Sequence, residues 1–453
     1  MVSILILPFT TQILGPADYG VFALLMGFTS FGGSIAAGAV TYLVSSRFSS
    51  GSAAERRHVI SSLLAVVAGV GLLLALLLAA VWYVSPLEQE RWGASGIAVA
   101  CALASMLLGI PWSIAYIVLI VSQDASQYAR ITVCATIAAA LTTLVTLYGF
   151  HLGGTALFAG MLASALIQSA GGLIVLTPHL GRPDRQLTFR ALRLTFVGFW
   201  SNSLEVVQTL AERVLLGAHA GLHDLGLYAH AQQYRNAVFL PVKAVANAVW
   251  SVTLTEAKDA ERAFPRTRRA WRAAYLGLAL AGVGFACFGR EVVALLTNGK
   301  FVDAGPYAAL LIALLLVQFS GRPQLGVLLE RDQGEYVSLC MGVSAAAGIT
   351  CLLLAVPSFG IIGAVIALYV QQVMFRLGVQ WRARREGRTP SADGLAWAST
   401  VLIVAVLVWS EMSRDLPVRA AAFALASFVL LFIARDVIAD LAHRYRGMLG
   451  SFK

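Results

Sequence analysis

Charged and amide side chains are scarce in this chain, and several of them interrupt long apolar runs. The stretch FVGFWSNSLEVVQTLAERVLLG (196–217) carries Glu205, Gln208 and Glu212, with Arg213 beside them. Spacings of three and seven residues put the first three on one helical face. The next apolar run carries Gln232, Arg235, Asn236, Lys243 and Asn247. At 100° per residue these five fall within an arc of about 120°, a single polar stripe. A third run adds Gln318 and Arg322 one helical turn apart, just before Pro323. Arg235, Lys243 and Arg322 are candidate donors to an anionic ligand, and Gln232 and Asn236 extend the same stripe. Glu205 and Glu212 are candidates for a titrating proton or sodium site, or for ion pairs with those cations. The plainer alternative is a fixed ion-pair ladder, because Glu212 and Arg235 are expected at similar depth. Arg213 is expected to pair locally. Arg376 is expected to snorkel to the surface.

The elements that must carry these residues follow from composition. Hydrophobic residues make up 58% of the 453 residues and charged ones 12%, with a mean hydropathy of +0.78. A soluble domain carries about 25% charged residues. Runs such as SSLLAVVAGVGLLLALLLAAVWYV (61–84) and AAFALASFVLLFIA (421–434) recur along the chain, and a bilayer core needs roughly 20 apolar residues per helix. The chain reads as an all-α polytopic membrane protein. Spans are expected near 1–14, 20–44, 61–84, 95–120, 131–150, 155–177, 195–218, 227–253, 272–289, 305–329, 336–356, 361–380, 395–412 and 418–438, about fourteen in all. Met1 to Leu14 reaches only about 21 Å at 1.5 Å per residue. The first span is therefore expected to be a stub, or to start upstream of Met1.

The net charge of +10 is placed by side. The richest loops, RPDRQLTFRALR (182–193), KDAERAFPRTRRAWR (258–272) and WRARREGR (381–388), all follow even-numbered spans. Basic loops stay on the cytoplasmic side, so both termini are expected there. These runs read as topology signals and anionic-lipid contacts, not nucleic-acid sites. The five cysteines, Cys101, Cys134, Cys287, Cys340 and Cys351, all fall in expected spans without a C-x-x-C pair, which suggests neither disulfides nor zinc. His151, His219 and His223 sit in short outer loops without metal-ligand spacing. No phosphate-binding loop occurs, TNGKF (297–301) being only a turn. No cofactor and no catalytic residue is expected.

A repeat organises the chain. LGPADYGVFAL (14–24) returns as AGLHDLGLYAH (220–230), aligning Gly15, Asp18, Gly20 and Phe22 with Gly221, Asp224, Gly226 and Tyr228. YGFHLGGTALF (148–158) is echoed by FGIIGAVIAL (359–368) at a similar offset. A repeat of six spans preserves orientation, so the halves are parallel repeats. The expected domains are a six-helix lobe over 1–194, a second over 195–380, and a basic loop, two extra helices and a tail over 381–453. In the turn itself Asp18 and Asp224 are expected to cap the following helix, while Gly20 and Gly226 allow positive φ or close helix contact.

These segments carry a resemblance. LGPADYGVFAL after a first helix resembles the N-terminal hallmark of the polysaccharide transporter branch of the multidrug/oligosaccharidyl-lipid/polysaccharide exporter superfamily. AERVLLGAHAGLHDLGLYAHAQQYRNAVFLPVKAVANAVWSVTL (211–254), EVVALLTNGKFVDAGPYAALLIALLLVQF (291–319) and FGIIGAVIALYVQQ (359–372) are similar to that family's later helices. The resemblance implies an O-antigen or exopolysaccharide flippase in the bacterial inner membrane. Its substrate would be an undecaprenyl-pyrophosphate-linked oligosaccharide, moved by alternating access, with polymerase and chain-length machinery as partners. Arg235, Lys243 and Arg322 would then meet the pyrophosphate. A drug/cation antiporter of the same superfamily is the alternative, but it is expected to have an acidic cavity. A membrane polymerase or ligase is expected to need a large outer loop, and the outer loops here are short.

Overall fold

A computed structural model describes residues 6–36, 40–44, 52–84, 95–258, 264–331, 333–386, 393–413 and 415–435. Among them the regular structure is helical throughout. The helices form two compact units, Met1–Gly226 and Leu227–Lys453.

The first unit opens with α1 (Leu7–Ile13), α2 (Pro16–Ala36) and the short α3 (Val40–Leu43), followed by α4 (Ala53–Val84) and α5 (Gly96–Val121). It continues through α6 (Ala125–Tyr148), α7 (Thr155–Leu176) and α8 (Arg185–His219) to the start of α9 (Gly221–Lys258). The second unit holds the rest of α9, then α10 (Pro265–Thr297), α11 (Ala304–Ser320), α12 (Arg322–Glu330), α13 (Gly334–Arg385), α14 (Asp393–Met412) and α15 (Leu416–Ile433). Nine helices among the described residues are long and apolar enough to cross a membrane, or ten if the bent pair α1–α2 is one span. The helices α8 and α9 fall outside that set; they carry the two polar stripes. At 52 residues α13 is long enough to cross twice. It breaks at Gly360 (φ 52°, ψ −126°), three residues after Pro357. The described parts of the fourteen expected spans fall largely on helices, with residues 1–5 of the first, 37–39 of the second and 436–438 of the last outside the described residues. Outward faces such as Leu72, Leu73, Leu76 and Leu77 of α4 are half-exposed or more, as side chains bathed in hydrocarbon are.

In the first unit α5 packs against α2, α4, α6 and α7, and α8 lies along α2 and α4. Ile60, Leu63, Ile114, Val118 and Leu176 are buried in its core. In the second unit α11 is buried almost all round by α10, α13 and α14. Arg376 of α13 is not at the surface as expected. It is 2% exposed, with its guanidinium 4.5 Å from the Trp397 ring centroid on α14. Cation–π contact lets the charge stay buried.

The repeated turn acts structurally. Leu14 is extended, and α1 and α2 meet at 113°. Pro16 opens α2 at a position where a missing N–H costs nothing. Asp18 reaches back to accept the Gly15 N–H at 2.9 Å, the acidic half of a capping box. The two copies of the turn also meet each other. A Cβ on Gly20 would lie 2.0 Å from the Leu222 carbonyl oxygen, and one on Gly226 would lie 1.8 Å from the Pro16 carbonyl oxygen. Positions 16 and 222 correspond in the repeat, as do 20 and 226, so the contact is reciprocal. The positive φ falls elsewhere, at Gly221 (88°), Gly153 (54°) and Gly360 (52°). The pairing of Gly153 with Gly360 gives an offset close to that of the first turn, so the backbone equivalent of Gly153 is Gly360.

Ties at the helix ends join segments that the span order assigns to one face. In the first unit Ser61 and Ser62 bond the Gly181 and Asp184 N–H groups at 2.7 and 2.9 Å, and Tyr148 donates to the Phe9 carbonyl at 2.7 Å. In the second, Arg290 grips Glu411 with two bonds of 3.1 and 2.7 Å. Arg419 binds Glu291 and the Cys287 carbonyl, so both pairs dock the last two helices on α10. After α12, Arg331 bonds Glu386, and Gln333 links Glu386 (2.8 Å) to Arg382 (2.9 Å). The Gln333 amide and then Arg331 hold the Glu386 carboxyl below the ordinary carboxylate range.

Candidate functional site

The second unit brings three of the sequence-selected cations to one aromatic wall. Arg235 of α9 donates from Nη2 to Gln318 Oε1 of α11 at 3.0 Å. Its Nε is buried and has no hydrogen bond among the described residues. Two turns on, Lys243 is exposed, its Nζ 5.9 Å from the Phe239 ring centroid. Phe239 packs on Phe319 with centroids 5.6 Å apart, and the Arg322 guanidinium sits 5.8 Å from the Phe319 centroid. Trp271 packs behind Phe319 at 5.8 Å, and Tyr275 donates to the Phe319 carbonyl at 3.2 Å. The ring contacts and the Tyr275 hydrogen bond fix the wall in place, and Lys243 and Arg322 lie along it. Neither Arg235 nor Lys243 makes an ion pair among the described residues. Gln232 is half-buried and Asn236 exposed, on the α9 turn that carries Arg235. The Asn247 side chain lies outside the described residues.

The first unit holds the acidic stripe. Glu212 is 2% exposed on α8. Gln208, one turn earlier, is 1% exposed, and both of its amide atoms lack a hydrogen bond among the described residues. Arg213 donates to the Ala23 carbonyl at 2.7 Å, and its Cδ lies 2.9 Å from a Cβ built on Gly27. It therefore lies along α2 and fastens α8 to that helix. Glu205 lies on α8, with its side chain outside the described residues.

Sequence reasoning selected the cations but missed the wall. Its signal was present: Phe239 stands four residues before Lys243 and Phe319 three before Arg322, the spacings that bring side chains together on a helix. Gln318 was noted only as a polar residue in a span; its partner on α9 is 83 residues away.

The cations of the second unit thus line an aromatic wall in a two-unit chain that is helical throughout its described residues. Residues 10–306 match the family described as polysaccharide biosynthesis protein. The chain belongs to that family. No curated protein sequence matches it significantly. The solved structures similar to this chain include the lipid II flippase MurJ in an inward closed conformation. That likeness has a TM-score of 0.64 at 14% identity, covering 97% of this chain and 100% of that one. The inward-facing conformation of a multidrug resistance MATE family transporter of the MOP superfamily gives 0.64 at 15%, covering 85% and 94%. A MOP superfamily transporter from Pyrococcus furiosus, reported with a reversed binding-pocket polarity, gives 0.55 at 15%, covering 84% and 90%. At these identities the likeness establishes the fold alone: the chain has the architecture seen in these transporters.

Proposed function

We propose that this protein is a flippase that carries an undecaprenyl-pyrophosphate-linked oligosaccharide across the bacterial inner membrane by alternating access, for assembly of a cell-surface polysaccharide. The observation that carries this reading is the pairing state of Arg235 and Lys243. Among the described residues Arg235 is held by a neutral amide alone, which keeps its charge available, with Nε still to donate. A pyrophosphate supplies acceptors for those donors, and a hydrogen bond to a charged group contributes about 1.5–3 kcal/mol. The family membership and the transporter fold support the same reading, whereas a polymerase or ligase finds no support in either. Arg322 extends the cationic wall, and Gln232 and Asn236 give neutral donors beside it. Buried Glu212, with Glu205, is the proposed coupling site for a proton or sodium ion. The basic loops face the cytoplasm and anionic lipid, with both termini on that side, and polymerase and chain-length proteins receive the product.

Complementation of a flippase-deleted strain with a matching repeat unit tests the proposal. Surface polymer is compared with lipid-linked repeat units held on the inner face. The wild-type chain is expected to restore polymer, and Arg235→Ala and Lys243→Ala to abolish it at normal expression. Restored polymer with both alanines silent removes the cationic wall from the mechanism; no polymer from the wild-type chain overturns the flippase reading.

A further inference from the structure

The first unit contains a cavity of about 290 Å³ between α2, α4, α5 and α7. Its polar lining comes from Thr29, Ser30, Ser105, Ser113, Ser164 and Gln168, and among the described residues no charged side chain lines it. These residues form stripes. Ser164 and Gln168 are one turn apart on α7, and Ser105, Gly109 and Ser113 follow each other at one-turn intervals on α5, so each stripe faces one way. A hydroxyl stripe turned into a membrane protein's interior needs a polar occupant or neighbour.

The hydrogen-bond inventory says which kind. Ser105, Ser113 and Thr29 donate to carbonyls of their own helices, at 2.6 Å to Cys101, 2.7 Å to Ile110 and 3.2 Å to Met26. Their remaining lone pairs leave them as acceptors for a ligand. Ser30, Ser164 and Gln168 bond no other side chain or backbone group among the described residues, so each offers donors and acceptors together. A phosphate would need donors and positive charge, and a multivalent metal cation would call for carboxylates. A lining of neutral donors mixed with acceptors matches a ligand whose own groups are both, which is the chemistry of sugar hydroxyls. The remaining wall includes Met26, Met106 and Met161, adaptable thioether side chains that mould to C–H faces. Space is kept open by two glycines: a Cβ on Gly33 or Gly109 would meet no atom within 4 Å. The volume is at the lower end of ligand pockets, roughly 300–1,000 Å³, enough for a sugar residue and too small for a whole oligosaccharide.

We propose that this cavity is a binding site for one neutral sugar residue of the lipid-linked substrate, separate from the cationic wall of the second unit. The proposal rests on the flippase reading above, which names the cargo, but its residues and its test are its own.

The test uses the purified full chain and measures binding of undecaprenyl pyrophosphate with no sugar, and of the same lipid carrying a hexose, an N-acetylhexosamine or a deoxyhexose. At least one saccharide is expected to tighten binding about tenfold over the bare lipid. Gly109→Leu fills the cavity and is expected to erase that gain while leaving bare-lipid affinity within twofold. The double change Ser164→Ala with Gln168→Leu is expected to do the same by removing donors without adding bulk; it also serves if Gly109→Leu does not fold. If no saccharide improves on the bare lipid, the sugar site is overturned. It is equally overturned if the variants lower both affinities together or neither. If even the bare lipid does not bind, the pyrophosphate reading fails, and the same variants against methyl glycosides decide the cavity independently: wild-type binding lost in Gly109→Leu supports it, and no wild-type binding overturns it.

Discussion

Substituting alanine at Gly226 tests the reciprocal crossing of the two turns directly. Its Cβ would stand 1.8 Å from the Pro16 carbonyl oxygen, where real Cβ contacts essentially never fall under 3.0 Å. The obstacle is backbone, so no side-chain rotation relieves it, and the two helix N-termini must part by roughly 1 Å or more in a close-packed interior. Overpacking of this kind costs about 1–3 kcal/mol. Gly20→Ala, whose Cβ would lie 2.0 Å from the Leu222 carbonyl, should cost a similar amount. Both substitutions demand the same movement of the same pair of helices. Once one has opened the crossing, the second adds little, so the double variant should fall well short of the sum. Thermal melting of the purified protein gives the readout, with Gly109→Ala as a control because its Cβ meets nothing within 4 Å. Both single variants should melt below wild type and the control should not. Unchanged melting in either single variant, or strict additivity in the double, would refute the crossing as described.

Four further outcomes follow from the structure. Alanine at Gly360, held at φ 52° and ψ −126°, should destabilise by about 1–3 kcal/mol. Gly153→Ala, at φ 54° with open space around it, should cost about 1–2 kcal/mol; melting above wild type for either would contradict the backbone assignment. Arg419→Met should lower the melting temperature, at a cost of about 1–2 kcal/mol, the lower end being set by the exposure of its partner Glu291. It also strips the Cys287 carbonyl of its donor, so Glu291→Gln should cost less, and a reversed order would refute the clamp. Glu386 has its carboxyl pKa depressed in the folded protein. Its stabilisation is therefore fully present above the ordinary carboxylate value of about 4.3 and is lost as pH falls through the lower folded value. The melting gap between wild type and Glu386→Gln should be open at neutral pH and close in acid; a gap that widens in acid would reverse the assignment.

The fold was legible because bilayer solvent imposes hydropathy on every span, and the repeat was legible because both turns kept their punctuating residues. What stayed hidden was long-range. The sequence marked Gly20 and Gly226 for close contact, but nothing local says that each rests on the other's turn. Arg376 reads as a charge near a helix end; its burial depends on Trp397, on a helix 21 residues further along the chain. The cations of α9 announced themselves by arc, while the aromatic wall beneath them was indistinguishable from ordinary core. The cavity in the first unit escaped notice because serine is common in membrane helices. Only spatial convergence separates a hydroxyl that lines a cavity from one that merely sits on a helix face.

A turn that packs against its own copy, with position 16 opposite 226 and position 20 opposite 222, has the form of an isologous interface, the kind two identical subunits share across a twofold axis. A chain of half this length, bearing one copy of the turn, would carry a surface complementary to itself. In this chain both copies lie within the first unit, so the self-complementary contact is made intramolecularly, with bare glycine on each side of it.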